Sequence, residues 1–302
     1  MAITVREENY ENFGKCLYIA NEKQEMRVTV DIGPRIISYN LCGKGNMMFV
    51  DTDRLSMRDN DEFKAVYGKD KAWYIYGGHR FWVSPEEYPV TYYPDNDKVD
   101  YKIEGNVFTF TPPVQEVTGW QEVLQITFHE TEAKADVLHI LTNTSDKEKC
   151  GSIWALSVTA AGGRVFQRMA QEDTGLLSNR NLILWPYNNM TDKRFYMDDE
   201  FIALAQDSNA EKPFKIGTNN TGGSVLCLNN GTVFKKEFTY LHGEQYPDYG
   251  CSTEVFTNDF MLEMETLSPL YRLKSGEKAE HLEKWSLTPC SSDKLEDVVK
   301  YL

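Results

Sequence analysis

Apolar and polar residues alternate with a period of two along most of this chain. Met26–Asp31 alternates, Ile32-Gly33-Pro34 interrupts, and Ile36–Leu41 and Met47–Val50 resume the pattern. Strands are the expected element, because successive strand side chains point to opposite faces of a sheet. Val99–Glu104 and Asn106–Thr111 predict a hairpin about Gly105. Val123–Glu130 and Ala135–Asn143 predict another, turned by Glu132-Ala133-Lys134. Further strands are predicted at Ile153–Val158, Arg180–Tyr187, Ser224–Leu228, Lys235–His242, Thr253–Thr257, Phe260–Thr266 and His281–Leu287. Asp51–Lys71 has no period and is rich in Asp, Arg and Lys, which predicts a long surface loop or short helices; loops of that length often form lids or rims. The period changes only at the tail. Leu295, Val298, Val299 and Leu302 fall at i, i+3, i+4 and i+7, so a short C-terminal helix packs one apolar stripe. Asp293 is its expected cap, with Glu296 in the third helical position. Short strands, Gly/Asn/Asp turns and one helix predict an all-β protein. No repeat, low-complexity stretch or linker divides it, so one domain over residues 1–302 is expected.

Composition narrows the partners. The net charge of −14 disfavours nucleic acid and anionic membrane surfaces, and suits neutral ligands. Six cysteines are scattered without Cys-x-x-Cys pairing, which argues against a zinc site. Met1–Glu8 has no apolar core and no apolar run reaches membrane-spanning length, so a cytoplasmic protein with reduced thiols is expected. Aromatic residues make up 13% of the chain; some of that is core, but sugar sites also use aromatic faces against pyranose rings.

The candidate chemistry begins at Phe260–Pro269. Alternation puts Phe260, Leu262, Met264 and Thr266 on one face and Met261, Glu263 and Glu265 on the other. Glu263 and Glu265 then stand about 7 Å apart. On a wet face that pair is ordinary; on a concave, partly dry face one carboxyl is raised toward neutral pH and becomes a usable acid or base. Thr253–Thr257 precedes this strand, and antiparallel pairing would bring Glu254 close to the pair. In Gly77-Gly78-His79-Arg80-Phe81-Trp82, His79 and Phe81 share one face and Arg80 and Trp82 the other. A lone His beside aromatics is more often a structural histidine, and the competing reading of His79 is as part of a basic pair entering a cleft. His129 and His139, inside predicted strands, read as structural. His242, followed by Tyr246-Pro247-Asp248, is either a polar rim or plain surface.

The C-terminal third resembles the galactose mutarotase (aldose 1-epimerase) superfamily. There a Leu-Glu-Thr strand carries the catalytic base and an L-x-x-G-E turn leads to the closing strand. Met264-Glu265-Thr266 matches the first with one conservative change, and Leu273-Lys274-Ser275-Gly276-Glu277 matches the second. Gly33-Pro34-Arg35-Ile36-Ile37-Ser38, Gly77–Glu86, Leu184–Tyr187 with Arg194, and Lys215-Ile216-Gly217 resemble an uncharacterised bacterial branch of the same superfamily, a domain-of-unknown-function family. The resemblance implies a large antiparallel β-supersandwich whose concave sheet holds a small-molecule carbohydrate. It implies an isomerase acting at the anomeric centre, with Glu265 as base and no metal or organic cofactor. One departure stands out: where mutarotases carry an Asn-His pair whose His is the acid, this chain has Trp154 and Ala155. His79 or His242 is the expected substitute acid. Arg80, Trp82, Trp185, Lys215, Asp248, Glu254 and Glu263 are expected to bind or stack on the sugar. A non-catalytic sugar-binding protein, or a carbohydrate lyase or hydrolase using the paired carboxylates, are the competing readings.

Overall fold

A computed structural model describes residues 3–302. Two large antiparallel sheets, of 11 and 10 strands, stack face to face. The core between them is built from inward-facing residues such as Met26, Ile36, Phe108, Ile126, Met264 and Trp285. This is the predicted all-β supersandwich. Arg35 orders the turn before the Ile36–Leu41 strand: it is fully buried, pairs with Asp95 at 2.7 Å and donates to the Ile75 carbonyl.

The middle of the larger sheet runs, in spatial order, through strands Gly78–Ser84, Lys149–Thr159, Leu262–Leu267, Thr253–Thr257 and Phe214–Thr218. The two glycines that open the first of these are required by close packing. A Cβ on Gly77 would lie 2.1 Å from the Phe49 carbonyl oxygen, and one on Gly78 2.5 Å from that of Ile36. Both residues also take positive φ, which favours glycine.

The outer face of this sheet is not wet. Trp73, Trp82, Trp154, Leu156, Met261 and Leu267 form a second apolar layer there, joined by Phe63. Phe63 comes from helix Asp61–Tyr67, inside the aperiodic Asp51–Lys71 segment; Asn60 caps it by accepting from the Phe63 amide at 2.9 Å. The segment therefore roofs part of the sheet and dries it.

The tail forms a single helical turn, Leu295–Val298, tightening into a 3₁₀ turn at Val299–Tyr301. Its apolar stripe packs on Phe166 and Phe201 as expected. The expected Asp293 cap is not made. Lys294 holds the cap position without a side-chain bond, and Ser292 Oγ donates to Asp297 instead. All six cysteines are free thiols, and no helix of the described residues is long and apolar enough to cross a membrane.

Candidate functional site

Strand register assembles a carboxylate cluster on the outer face of the larger sheet. Leu262–Leu267 is buried throughout, with Leu262 and Met264 in the inter-sheet core and Glu263 and Glu265 on the opposite face. Glu254 stands directly across from Glu265 on the neighbouring strand. Lys215, one strand further out, is registered with Phe256 and shares the Glu254 face. Its own strand needs glycine two residues on, because a Cβ at Gly217 would fall 2.4 Å from Cys251 Sγ and 3.4 Å from Glu254 Cγ.

Lys215 is the hub. Its Nζ lies 2.7 Å from Glu254 Oε2 and 3.1 Å from Glu265 Oε2, and none of the three side chains is more than a few per cent exposed. The ammonium also sits against two indoles, 4.6 Å from the centre of Trp154 and 4.8 Å from that of Trp185. Asn188 fixes the Trp185 loop by bonding the Lys215 backbone amide and carbonyl. Trp154 Nε1 donates to Glu265 Oε2 at 2.6 Å. Glu265 thus accepts two strong donors on one oxygen, while its Oε1 is buried without a partner. Glu254 accepts no bond of good geometry on either oxygen.

The electrostatics follow from burial. Glu254 is pushed up to about 8 by burial and by the charge of Glu265, against the pull of Lys215. Glu263 is pushed up to about 7 by burial and by Glu265, with Arg80 opposing. Burial works against the Lys215 charge, but Glu254 and Glu265 outweigh it and hold the ammonium well above the usual lysine range. One face thus holds a carboxylate bound by two donors beside carboxyls that keep their protons near neutral pH, the separation of roles that acid–base sites require.

A cleft of about 340 Å³ opens over this cluster, lined by Pro85, Glu86, Tyr88, Trp154, Trp185, Lys215, Asp248 and Glu254. Glu265 lies immediately beneath Trp154 and Lys215. Asp248 and Tyr249 both take left-handed backbone conformations in the loop that carries Asp248 to the rim, where Ser84 Oγ donates to it. Arg80 and Trp82 are on the same face. The Arg80 guanidinium stacks 4.2 Å over the Trp82 ring, Trp82 packs on Trp154, and Arg80 Nε and Nη1 are buried without partners. Burial and the nearby Arg35 pull Arg80 down to about 10.

Arg80, Trp82 and Glu263 share this face but do not line the cleft, and Arg80 and Trp82 border a separate cavity beside Tyr93 and Gln115. The two expected acids lie elsewhere altogether. His79 belongs to the strand of Arg80 and Trp82 but, by alternation, points into the inter-sheet core. Ser157 Oγ lies 2.8 Å from its Nδ1, and its Nε2 meets His139 Nε2 at 2.7 Å. His139 Nδ1 faces the His281 carbonyl oxygen, so it carries the proton; His139 Nε2 then accepts from His79, and His79 Nδ1 accepts from Ser157. Both rings are held neutral, and burial lowers both below the usual histidine range. His79 therefore has no proton to offer the cleft. His242 lies in an exposed turn against Tyr240, beyond the end of strand Thr232–Phe238, and does not line the cleft.

His79, His139 and Glu283 bring ligand-type atoms within 4.8 Å of one another. Their bonding is already complete: the imidazoles bond each other, and Glu283 accepts from Lys236, Thr266 and Trp285. The local sequence around His139 does not show Glu283, because that residue comes from a remote strand. Trp154 is the site residue whose part sequence reasoning missed. It registered only as a departure from the mutarotase pattern, and its indole proves to be the donor that grips Glu265.

No protein-family model matches the sequence, and no curated protein matches it. Solved structures do. A TPR-domain containing protein from Parabacteroides distasonis superposes with a TM-score of 0.62 at 12% identity, over 92% of this chain and 48% of that one. The chain thus spans about half the length of that relative. A galactose mutarotase-like protein from Clostridium acetobutylicum gives 0.53 at 11% identity, over 95% of this chain and 99% of that one. A candidate aldose 1-epimerase from Escherichia coli gives 0.54 at 11% identity, over 95% and 100%. At these identities the likeness establishes the fold: the chain is a galactose mutarotase-like sandwich.

Proposed function

We propose that this protein is an aldose 1-epimerase-like isomerase acting on a neutral sugar, with Glu265 as the base that removes the anomeric hydroxyl proton. The observation that carries this reading is the Glu265 carboxylate, bound by Trp154 and Lys215 with Oε1 left unpartnered, beneath a cleft walled by indoles. Stacking surfaces with a few convergent polar groups are what a pyranose needs. The charge balance supports a neutral substrate. Glu86, Asp248 and Glu254 line the cleft against one cation, Lys215, which is already shared by two carboxyls. A sugar phosphate or uronate would find no free counter-charge. The ligand's anomeric hydroxyl has to reach Glu265 Oε1 past Trp154 and Lys215.

The competing reading is a sugar-binding protein without catalysis, favoured by the complete burial of Glu265. Exchange NMR of neutral aldoses, with and without protein, separates the two. The wild type should accelerate interconversion of the anomers. Glu265→Gln, nearly isosteric, should lower kcat by about a hundred- to ten-thousand-fold, the usual contribution of a placed acid or base. Binding without acceleration would establish the second reading. An active wild type indifferent to Glu265→Gln would remove Glu265 as the base.

A further inference from the structure

Ring opening also needs a proton for the ring oxygen, and neither His79 nor His242 stands where it could supply one. We infer that Glu254 is the general acid of the site, donating its carboxyl proton to the ring oxygen as the anomeric bond opens. The inference rests on the isomerase reading above.

Geometry carries it. The anomeric oxygen and the ring oxygen are bonded to the same carbon, so the acid and base that serve them must be near neighbours. Glu254 and Glu265 are directly opposite in register, and such pairs have Cβ atoms about 4.5–5.5 Å apart. Each carboxyl places Oε2 at Lys215 Nζ and leaves Oε1 buried and without a partner. Glu265 accepts a second donor, Trp154, while Glu254 has none and is the one of the two that lines the cleft. The proton therefore resides on Glu254. Its elevated titration, near 8, agrees.

The step balances. Glu265 takes the proton of the anomeric hydroxyl, and the freed O–H electron pair becomes the second bond of the carbonyl. The bond from the anomeric carbon to the ring oxygen breaks, and that oxygen keeps the bonding pair and takes the Glu254 proton. Rotation about the adjacent carbon–carbon bond presents the other carbonyl face. On ring closure Glu265 gives its proton to the carbonyl oxygen, which becomes the new anomeric hydroxyl, and Glu254 takes back the proton of the attacking ring hydroxyl. Negative charge has moved from Glu265 to Glu254 and back, and Lys215 touches both, so the ammonium is in place for either charge state without reorganisation.

The test combines kinetics with carboxyl titration. Glu254→Gln should lower kcat by about a hundred- to ten-thousand-fold. The wild-type rate should fall as pH rises through about 8, and the residual rate of the variant should lack that alkaline fall. Glu254→Asp, which keeps the acid but withdraws it, should recover part of the loss. Carbon-13 NMR of side-chain carboxyls should show a signal titrating near 8 in the wild type that is missing in Glu254→Gln, while the other raised carboxyl, Glu263, persists and shows that the variant is folded. An active wild type whose rate survives Glu254→Gln, or an ionised Glu254 at neutral pH, overturns the inference and leaves the isomerase reading standing. A wild type that interconverts no aldose overturns both.

Discussion

Replacing Lys215 by methionine removes the single ammonium from the carboxylate cluster while keeping an unbranched apolar stem between Trp154 and Trp185. Glu254 and Glu265 then face each other without a counter-ion, and Glu263 is close enough to raise the charge density further. Buried carboxylates in that position take up a proton. One further carboxyl of the cluster must therefore be protonated in the folded variant, whereas in the unfolded chain it titrates at the ordinary 4.5. Each pH unit above that value costs about 1.4 kcal/mol, so the loss of stability should grow to about 5 kcal/mol at pH 8 and shrink below about 1 kcal/mol at pH 5. The sign is that of a folded-state value raised above the unfolded one: stability is complete below the ordinary value and is lost as pH rises. The upper figure agrees with about 3–5 kcal/mol for breaking a buried ion pair from one side. Equilibrium urea denaturation at pH 5, 6.5 and 8 measures it. Adding Glu265→Gln to Lys215→Met should recover much of the loss at pH 8, because a neutral amide replaces the stranded carboxyl. A loss that does not change between pH 5 and pH 8, or one below about 1 kcal/mol at pH 8, would refute the reasoning and show a hydrated cluster.

Two further outcomes are expected. Trp154→Phe removes the indole donor to Glu265 while preserving the packing against Trp82; a hydrogen bond to a charged group is worth about 1.5–3 kcal/mol, so kcat for anomer interconversion should drop by at least about tenfold. His79→Gln should destabilise the fold by about 1–3 kcal/mol in thermal or urea melts, by disrupting the bonded chain from Ser157 to His139, yet leave kcat within a few-fold. A kcat loss of about a hundredfold or more would put His79 back into the chemistry.

The buried polar chain beneath the site explains why the strand of Glu265 is so firmly held. Thr266 donates to Glu283 at 2.6 Å, and Lys236 bonds both Glu283 and the Met264 carbonyl. These contacts grip the residues on either side of Glu265 from the inter-sheet core, while Trp154 and Lys215 hold its carboxylate from the outer face. None of this connectivity is readable from local sequence, because Lys236, Met264 and Glu283 come from three separate strands.

Alternation alone determined the all-β class, most of the strands and the face on which each candidate stands. It put Glu263 with Glu265 and Arg80 with Trp82, and it placed His79 opposite Arg80, which already told against His79 sharing their cleft. These are consequences of a two-residue period that any short window displays. The antiparallel step from Glu254 to Glu265 was also within reach, since only a short turn separates their strands. Tertiary structure decided the rest. Whether the Glu263 and Glu265 face was wet or dry depended on the Asp51–Lys71 segment, which has no period and brings Phe63 over the sheet. The pairing of Lys215 with Glu254 and Glu265 depended on strands that are distant in sequence and adjacent in space. The same holds for the Trp154 bond to Glu265, which joins residues 111 positions apart. The charge state of a carboxyl is set by its desolvation and by the charges a few ångströms away, and long-range strand pairing supplies both.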